Sequence, residues 1–120
     1  MKVLLEKSPK SDKKYRVTLP NGRSVDFGGK GYSDYTIHKN PLRMRLYVQR
    51  HGGSVPSPIG DVQTKLLKVS KSNKEDWSIK GVNTAGFWSR WLLWSYPSMP
   101  AAKGFMKKKF GLDIVDRSRV

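Results

Sequence analysis

The 120-residue chain contains no cysteine. Disulfides and thiolate metal sites are therefore excluded, and the fold must be one that needs no covalent staple. Acid is scarce as well: nine Asp and Glu stand against 24 Lys and Arg, for a formal net charge of +15. Histidine occurs only at His38 and His51, which are not at metal-ligand spacing, so no metal or cofactor is expected. No apolar run approaches the length of a membrane span, and the most apolar stretch, Phe87 to Trp94, is interrupted by Ser89 and Arg90. The opening Met1-Lys2-Val3-Leu4-Leu5-Glu6 is too short for the apolar region of a signal peptide, so no targeting segment is expected there.

What the chain does hold is a core. Hydrophobic residues make up 37% and four residues are tryptophan. Disordered basic tails lack such aromatic content, and a chain of this length buries roughly two-thirds of its unfolded surface as one domain. The cations divide evenly, 12 in residues 1–60 and 12 in residues 61–120. A folded domain so uniformly basic repels itself unless something acidic neutralises it. Nucleic acid, an anionic membrane face and an acidic protein surface all qualify; the plain alternative is a soluble protein with a high pI.

Val3-Leu4-Leu5 reads as a strand. Tyr15–Leu19 and Ser24–Phe27 alternate on either side of Pro20-Asn21-Gly22-Arg23, and Asn-Gly between two such runs is the strongest short-range hairpin signal. Asn40-Pro41 reads as a cap and first residue of a helix running to about His51, stopped by Gly52-Gly53. Met44, Tyr47, Val48 and His51 share one side of it. Lys39, Arg43 and Arg50 fall in one arc bordered by Leu42 and Leu46, so the wheel has no clean division into two faces. Residues 52–58 form a loop, and Asp61 to about Lys71 fits a second helix. Thr84 caps a helix through about Trp94 that is apolar nearly all round and hence buried. Ser98 starts a last helix to Phe110, closed by Gly111, with Ala101, Ala102, Phe105, Met106 and Phe110 inward and Lys103, Lys107 and Lys108 outward. Leu112-Asp113-Ile114-Val115 reads either as a final strand or as a docked segment.

Few motifs carry chemistry. Gly28-Gly29-Lys30-Gly31 lacks the Gly-Lys-Ser/Thr ending of a phosphate loop and reads as a turn needing positive φ. Asp34, Tyr35 and His38 lie close together without a nucleophile motif, which favours a hydrogen-bonded structural cluster over catalysis. Lys39, Arg43, Arg45 and Arg50, with Tyr32 and Tyr35 nearby, suit phosphate contact and base stacking, or equally a solvated helix face or an acidic protein contact. Nothing matches a helix-turn-helix, zinc finger, RRM or KH signature, so any nucleic-acid contact is expected to be charge-driven. Trp88, Trp91 and Trp94 fit a core better than a partner face. Arg90 among them must reach solvent, stack on a tryptophan or pair with an acid, with one of those three rings as its neighbour.

Two blocks carry a family likeness. One is Phe27-Gly28-Gly29-Lys30-Gly31-Tyr32-Ser33-Asp34-Tyr35-Thr36-Ile37-His38-Lys39, leading into the Arg43/Tyr47/Arg50/His51 helix. The other is Thr84-Ala85-Gly86-Phe87-Trp88-Ser89-Arg90-Trp91-Leu92-Leu93-Trp94 with Pro97-Ser98. With the Asn-Gly hairpin, they resemble a family of small basic proteins of large nucleocytoplasmic DNA viruses, of the iridovirus and algal-virus type, over about residues 13–51 and 75–111. The stretch 52–74 is longer than the connection usual in that family. The resemblance carries over no catalytic residue. It implies a virion setting, in capsid or core, with synthesis in the host cytoplasm.

The expectation is thus a single α+β domain over residues 1–120, with a small N-terminal antiparallel sheet packed by three to four helices and an inserted loop or helix at about 52–74. The function expected from the resemblance is that of a non-enzymatic virion structural protein, a minor capsid or cement protein in a large assembly, binding acidic capsid-protein surfaces. The alternative is a sequence-independent DNA-binding core protein. Scattered charge on a folded domain favours the first, since DNA condensers are more often tail-like. Partner or nucleic-acid contacts are expected at Lys39, Arg43, Arg45, Arg50, Lys103, Lys107 and Lys108, and an aromatic core or partner face at Trp88, Trp91, Trp94 and Arg90.

Overall fold

The structure, a computed structural model, describes residues 1–118. Three strands open the chain: β1 (Lys2–Lys7), β2 (Lys13–Thr18) and β3 (Ser24–Gly29). In β1 the alternation of Val3 and Leu5 with polar neighbours puts those two side chains on the inner face, fully buried. The expected hairpin joins β2 to β3. Gly22 takes φ +85, the Leu19 carbonyl accepts from the Gly22 amide at 2.9 Å, and Leu19 N–H donates to Arg23 at 2.8 Å. The register pairs Tyr15 with Phe27 and Val17 with Val25, so the apolar residues of both strands share the inner face.

Two short loops lead into α1 (Tyr35–His38) and α2 (Pro41–Arg50). Gly28 at φ +78 and Gly31 at φ +90 make the turn after β3 that the glycine run implied. α3 (Val62–Leu67) is shorter than the pattern suggested. A 3₁₀ turn (Ile79–Gly81) precedes α4 (Ala85–Trp88), which continues as a π-helical turn over Ser89–Leu93 rather than as regular α-helix. α5 (Met99–Phe110) is capped by Ser98, whose side chain accepts from Ala101 N–H, and closed by Gly111 in the left-handed region.

The α+β class holds, but the sheet is mixed and not confined to the N-terminal part. Its order is β3-β2-β1-β4, and β4 (Asp113–Asp116) lies parallel to β1. The reading of Leu112–Val115 as a strand is therefore the one realised. Parallel pairing needs a long crossover, which here is nearly the whole chain. The ladder is tied at both ends: Asp113 N–H donates to Met1 and Arg117 N–H to Leu5, each at 2.8 Å.

All four tryptophans are buried in one core with Phe27, Met44, Val48, Leu66, Phe87, Leu92, Ala102 and Met106. Ala101 departs from the expected inward face of α5. It is exposed, because the helix turns Ala102 and Met106 to the core and leaves Phe105 and Phe110 only half-buried. Among the described residues no helix is long and apolar enough to cross a membrane.

Candidate functional site

The first basic stretch of interest divides on inspection. Asn40 caps α2, its side chain accepting from Leu42 N–H at 3.0 Å, and Met44, Tyr47 and Val48 enter the core. Arg43 and Arg50 point away from it and make no ion pair or side-chain hydrogen bond among the described residues. Arg45 is half-buried and donates to the Pro56 carbonyl at 3.2 Å. Lys39 is not on the α2 wheel. It caps the C-terminus of α1 at φ 58, and its ammonium donates to the carbonyls of Pro97 (2.6 Å) and Thr36 (3.3 Å). Four cations that looked like one face thus separate into two free guanidiniums and two internal ties.

α5 divides similarly. Lys103 pairs with Asp116 of β4 at 3.0 Å and locks helix to strand. Burial alone would raise the Asp116 carboxyl, but hydrogen bonds from Ser118 and Lys103 outweigh it and hold the group below its ordinary value. Lys107 stands 4.0 Å from Asp113 with both side chains mostly exposed, a contact of little energetic value. Lys108 is free and exposed. Lys109 lies over the rings of Trp91, Phe110 and Phe105, at 5.4, 5.6 and 6.0 Å from their centroids.

The aromatic group is core. Trp88 and Trp91 are wholly buried, and Trp94 nearly so. Their indole N–H groups are satisfied where donors are cut off from water: Trp88 donates to Val82 at 2.7 Å and Trp91 to Trp77 at 2.8 Å. Arg90 is 0% exposed and meets no carboxylate among the described residues. Its guanidinium stacks 4.3 Å from the Trp91 ring and 5.3 Å from Trp77. It donates to Trp94 and Leu66 at 2.7 Å and to Val69 at 3.1 Å. Of the three fates open to it, stacking is realised, on the expected Trp91 and on the unforeseen Trp77; carbonyls replace the acid. Burial pushes the group down to about 10, so it stays protonated at neutral pH.

Asp34, Tyr35 and His38 form a structural cluster. Asp34 caps α1 by accepting from Thr36 N–H and pairs with Lys14 at 2.7 Å. Tyr35 donates to Gln63, and Gln63 donates to the Ser95 carbonyl at 2.7 Å. His38 Nδ1 accepts the Asn40 amide at 3.0 Å, which places the proton of the neutral ring on Nε2. Burial and, next, the nearby Arg43 lower its pKa. A file of rings continues from it: His38 to Trp94 at 5.1 Å, Trp94 to Tyr47 at 4.4 Å and 7°, Tyr47 to His51 at 4.1 Å. His51 Nδ1 faces Glu75 at 3.1 Å, and Glu75 also accepts from the Trp77 indole at 2.8 Å.

One feature escaped the reading of the sequence. A cleft of about 840 Å³ opens where the end of β1, the start of β2 and the turn after β3 meet α1 and the first turn of α5. Lys7, Lys13, Lys14, Lys30 and Lys39 line it, with no Asp or Glu in the lining. These lysines lie in four separate segments without regular spacing. Only the strand register, which sets Lys7 opposite Tyr15 and Lys13 opposite Gly29, gathers them.

Among known proteins, a family model described as a family of unknown function (DUF5754) matches residues 3–51. The match spans β1 to α2 and stops where the 52–74 excursion begins. No curated protein and no solved structure matches the chain.

Proposed function

We propose that the protein is a non-enzymatic structural protein that binds an acidic partner surface by charge. In the virion setting that the sequence resemblance implies, this is a minor capsid or cement protein. The observation that carries the reading is the placement of the acids. Asp26, Asp34, Asp113 and Asp116 each face a cation of this chain within 4.0 Å, Glu75 faces the His51 ring and the Trp77 indole, and Asp61 and Asp76 are taken up by Thr64 and Ser78. The excess cation is left at the surface, with Arg43 and Arg50 on α2 and Lys107 and Lys108 on α5. These groups stand on regular helices packed against a tryptophan core, so their positions are set before a partner arrives, which suits fixed protein contacts. Both histidines spend Nδ1 on contacts within the fold, and this favours a non-enzymatic role.

The test has two parts. Mass spectrometry of purified particles from the source virus is expected to find the chain; its absence would end the virion reading. Titration with duplex DNA at physiological salt is expected to show no appreciable affinity. Tight binding with a steep salt slope, flattened by Arg43→Ala/Arg50→Ala, would move the partner from acidic protein to DNA.

A further inference from the structure

We infer that the lysine-lined cleft at the open end of the sheet is a binding site for a compact polyphosphate anion. The inference does not rest on the structural reading above, whose residues lie on α2 and the outer face of α5.

The first ground is the unbalanced charge. Lys14 is held by Asp34 and Lys39 by backbone carbonyls, so those two form a fixed wall. Lys7, Lys13 and Lys30 make no ion pair or side-chain hydrogen bond among the described residues. Glu6 and Asp12, adjacent in the chain to Lys7 and Lys13, form no ion pair with them and do not line the cleft, while Asp34 is held by Lys14 and Asp116 by Lys103. With Lys14 neutralised by Asp34, four lysines without a carboxylate partner among the described residues remain around one concavity and repel one another. A bound anion relieves that repulsion.

Donor chemistry narrows the class of anion. Three hydroxyls in the lining donate within the chain: Ser8 to Asp26 at 2.6 Å, Ser118 to Asp116 at 2.6 Å, and Thr36 to Asp34; Ser98 accepts from the Ala101 amide at 3.3 Å. Among the described lining residues the donors left are ammonium groups and the Ser98 hydroxyl, with no arginine among them. Guanidinium forks favour planar, bidentate contacts to carboxylate or phosphate, as Arg16 makes with Asp26 in this fold at 3.0 and 3.1 Å. Mobile ammoniums act as point charges that adapt to tetrahedral phosphate. The first turn of α5 adds the positive end of a 12-residue helix to one wall.

Shape narrows it further. About 840 Å³ lies within the range of small-molecule sites, roughly 300–1,000 Å³. Convergence from several segments around a concavity suits clustered phosphates better than a row of evenly spaced ones. A duplex offers a convex surface and would meet the exterior of α2 instead.

The probe is inositol hexakisphosphate, titrated calorimetrically into the full chain at physiological salt. Saturable one-to-one binding is expected, with a rise in melting temperature. Lys13→Gln/Lys30→Gln should weaken it at least ten-fold while leaving the unliganded melting temperature unchanged or higher, since repulsion is removed. Arg43→Gln/Arg50→Gln should bind as the wild type does. Equal weakening by both double variants would overturn the inference, because general charge and not the cleft would then be responsible. So would binding of a dT oligonucleotide or poly-glutamate that needs Lys13 and Lys30 when inositol hexakisphosphate does not bind. Loss of the site would leave particle composition and duplex affinity, the measures of the structural reading, untouched.

Discussion

The β2–β3 hairpin and the excursion over residues 52–74 reach the same core by opposite means. The hairpin is closed by neighbours in sequence: a Gly22 turn, a ladder of adjacent strands and alternating side chains. The excursion leaves the fold at Gly52 and returns at Asn73, whose amide donates to the Gly52 carbonyl at 3.2 Å; Ser72 bonds the neighbouring His51 carbonyl. What holds its middle comes from far along the chain. Leu66 is fully buried, and Arg90 clasps the carbonyls of Leu66 and Val69 at the C-terminal end of α3. A local design tolerates change one residue at a time. A design that hangs on one buried cation fails as a unit, because a charge taken from water must have every one of its bonds to stay favourable.

The largest effect should follow from removing that clasp. Arg90→Met keeps the apolar volume but takes the donor from the carbonyls of Val69 and Trp94, while Leu66 keeps the Val69 amide at 3.0 Å. At ~1–3 kcal/mol for each of the two orphaned groups, the expected loss is about 2–6 kcal/mol in urea unfolding, a large part of the ~5–15 kcal/mol typical of a domain. Hydrogen exchange should show α3 losing protection before β1–β3; uniform loss would mean the two regions are one cooperative unit. Arg90→Lys should recover little, since one ammonium cannot span three separated carbonyls while stacking on Trp91.

A smaller effect is expected in the hairpin. Gly22→Ala places a Cβ where no atom lies within 4 Å, so only the positive φ resists it. The expected cost is about 1 kcal/mol, confined to the hairpin amides. Gly81→Ala, in the 3₁₀ turn that lines one hollow with the hairpin loop, offers the contrast: its Cβ would stand 2.0 Å from the Asp76 carbonyl oxygen, and refolding yield should collapse.

The smallest effect is on pH dependence. His38 has a lowered pKa in the fold, so the unfolded chain binds its proton more readily. Its contribution is therefore complete above the ordinary value of about 6.5 and declines as pH falls below it. Protonating Nδ1 also removes the acceptor of the Asn40 amide, at the junction of α1 and α2. Melting temperature measured from pH 7.5 down to 5.5 should drop modestly, and His38→Asn should flatten that limb. An unchanged slope in the variant would place the acid sensitivity in another group.

Elements with local causes were legible from the residues alone. Asn21-Gly22, the Asn40-Pro41 and Ser98 caps, and the stop at Gly111 all act within a few positions, and the structure has them where the patterns put them. β4 was open between strand and docked segment because its partner is β1, more than a hundred residues away. The basic faces were only half legible. A helical wheel sorts side chains by angle, but it does not reveal that Lys39 reaches the Pro97 carbonyl, that Arg45 reaches Pro56, or that Lys103 meets Asp116. The cleft lysines gave no signal, because nothing in their spacing marks the end of a sheet.

Composition by itself determined that this chain is a cysteine-free, strongly basic domain with a tryptophan-rich interior, since charge and apolar content are sums over residues and do not depend on arrangement. Which cations serve the fold and which are left to a ligand was decided only by tertiary structure. Arg90 and Lys7 carry the same charge in the sequence. One is enclosed by rings and carbonyls, the other opens on a cleft, because electrostatic energy depends on distance and on access to water, and both are set by the packing.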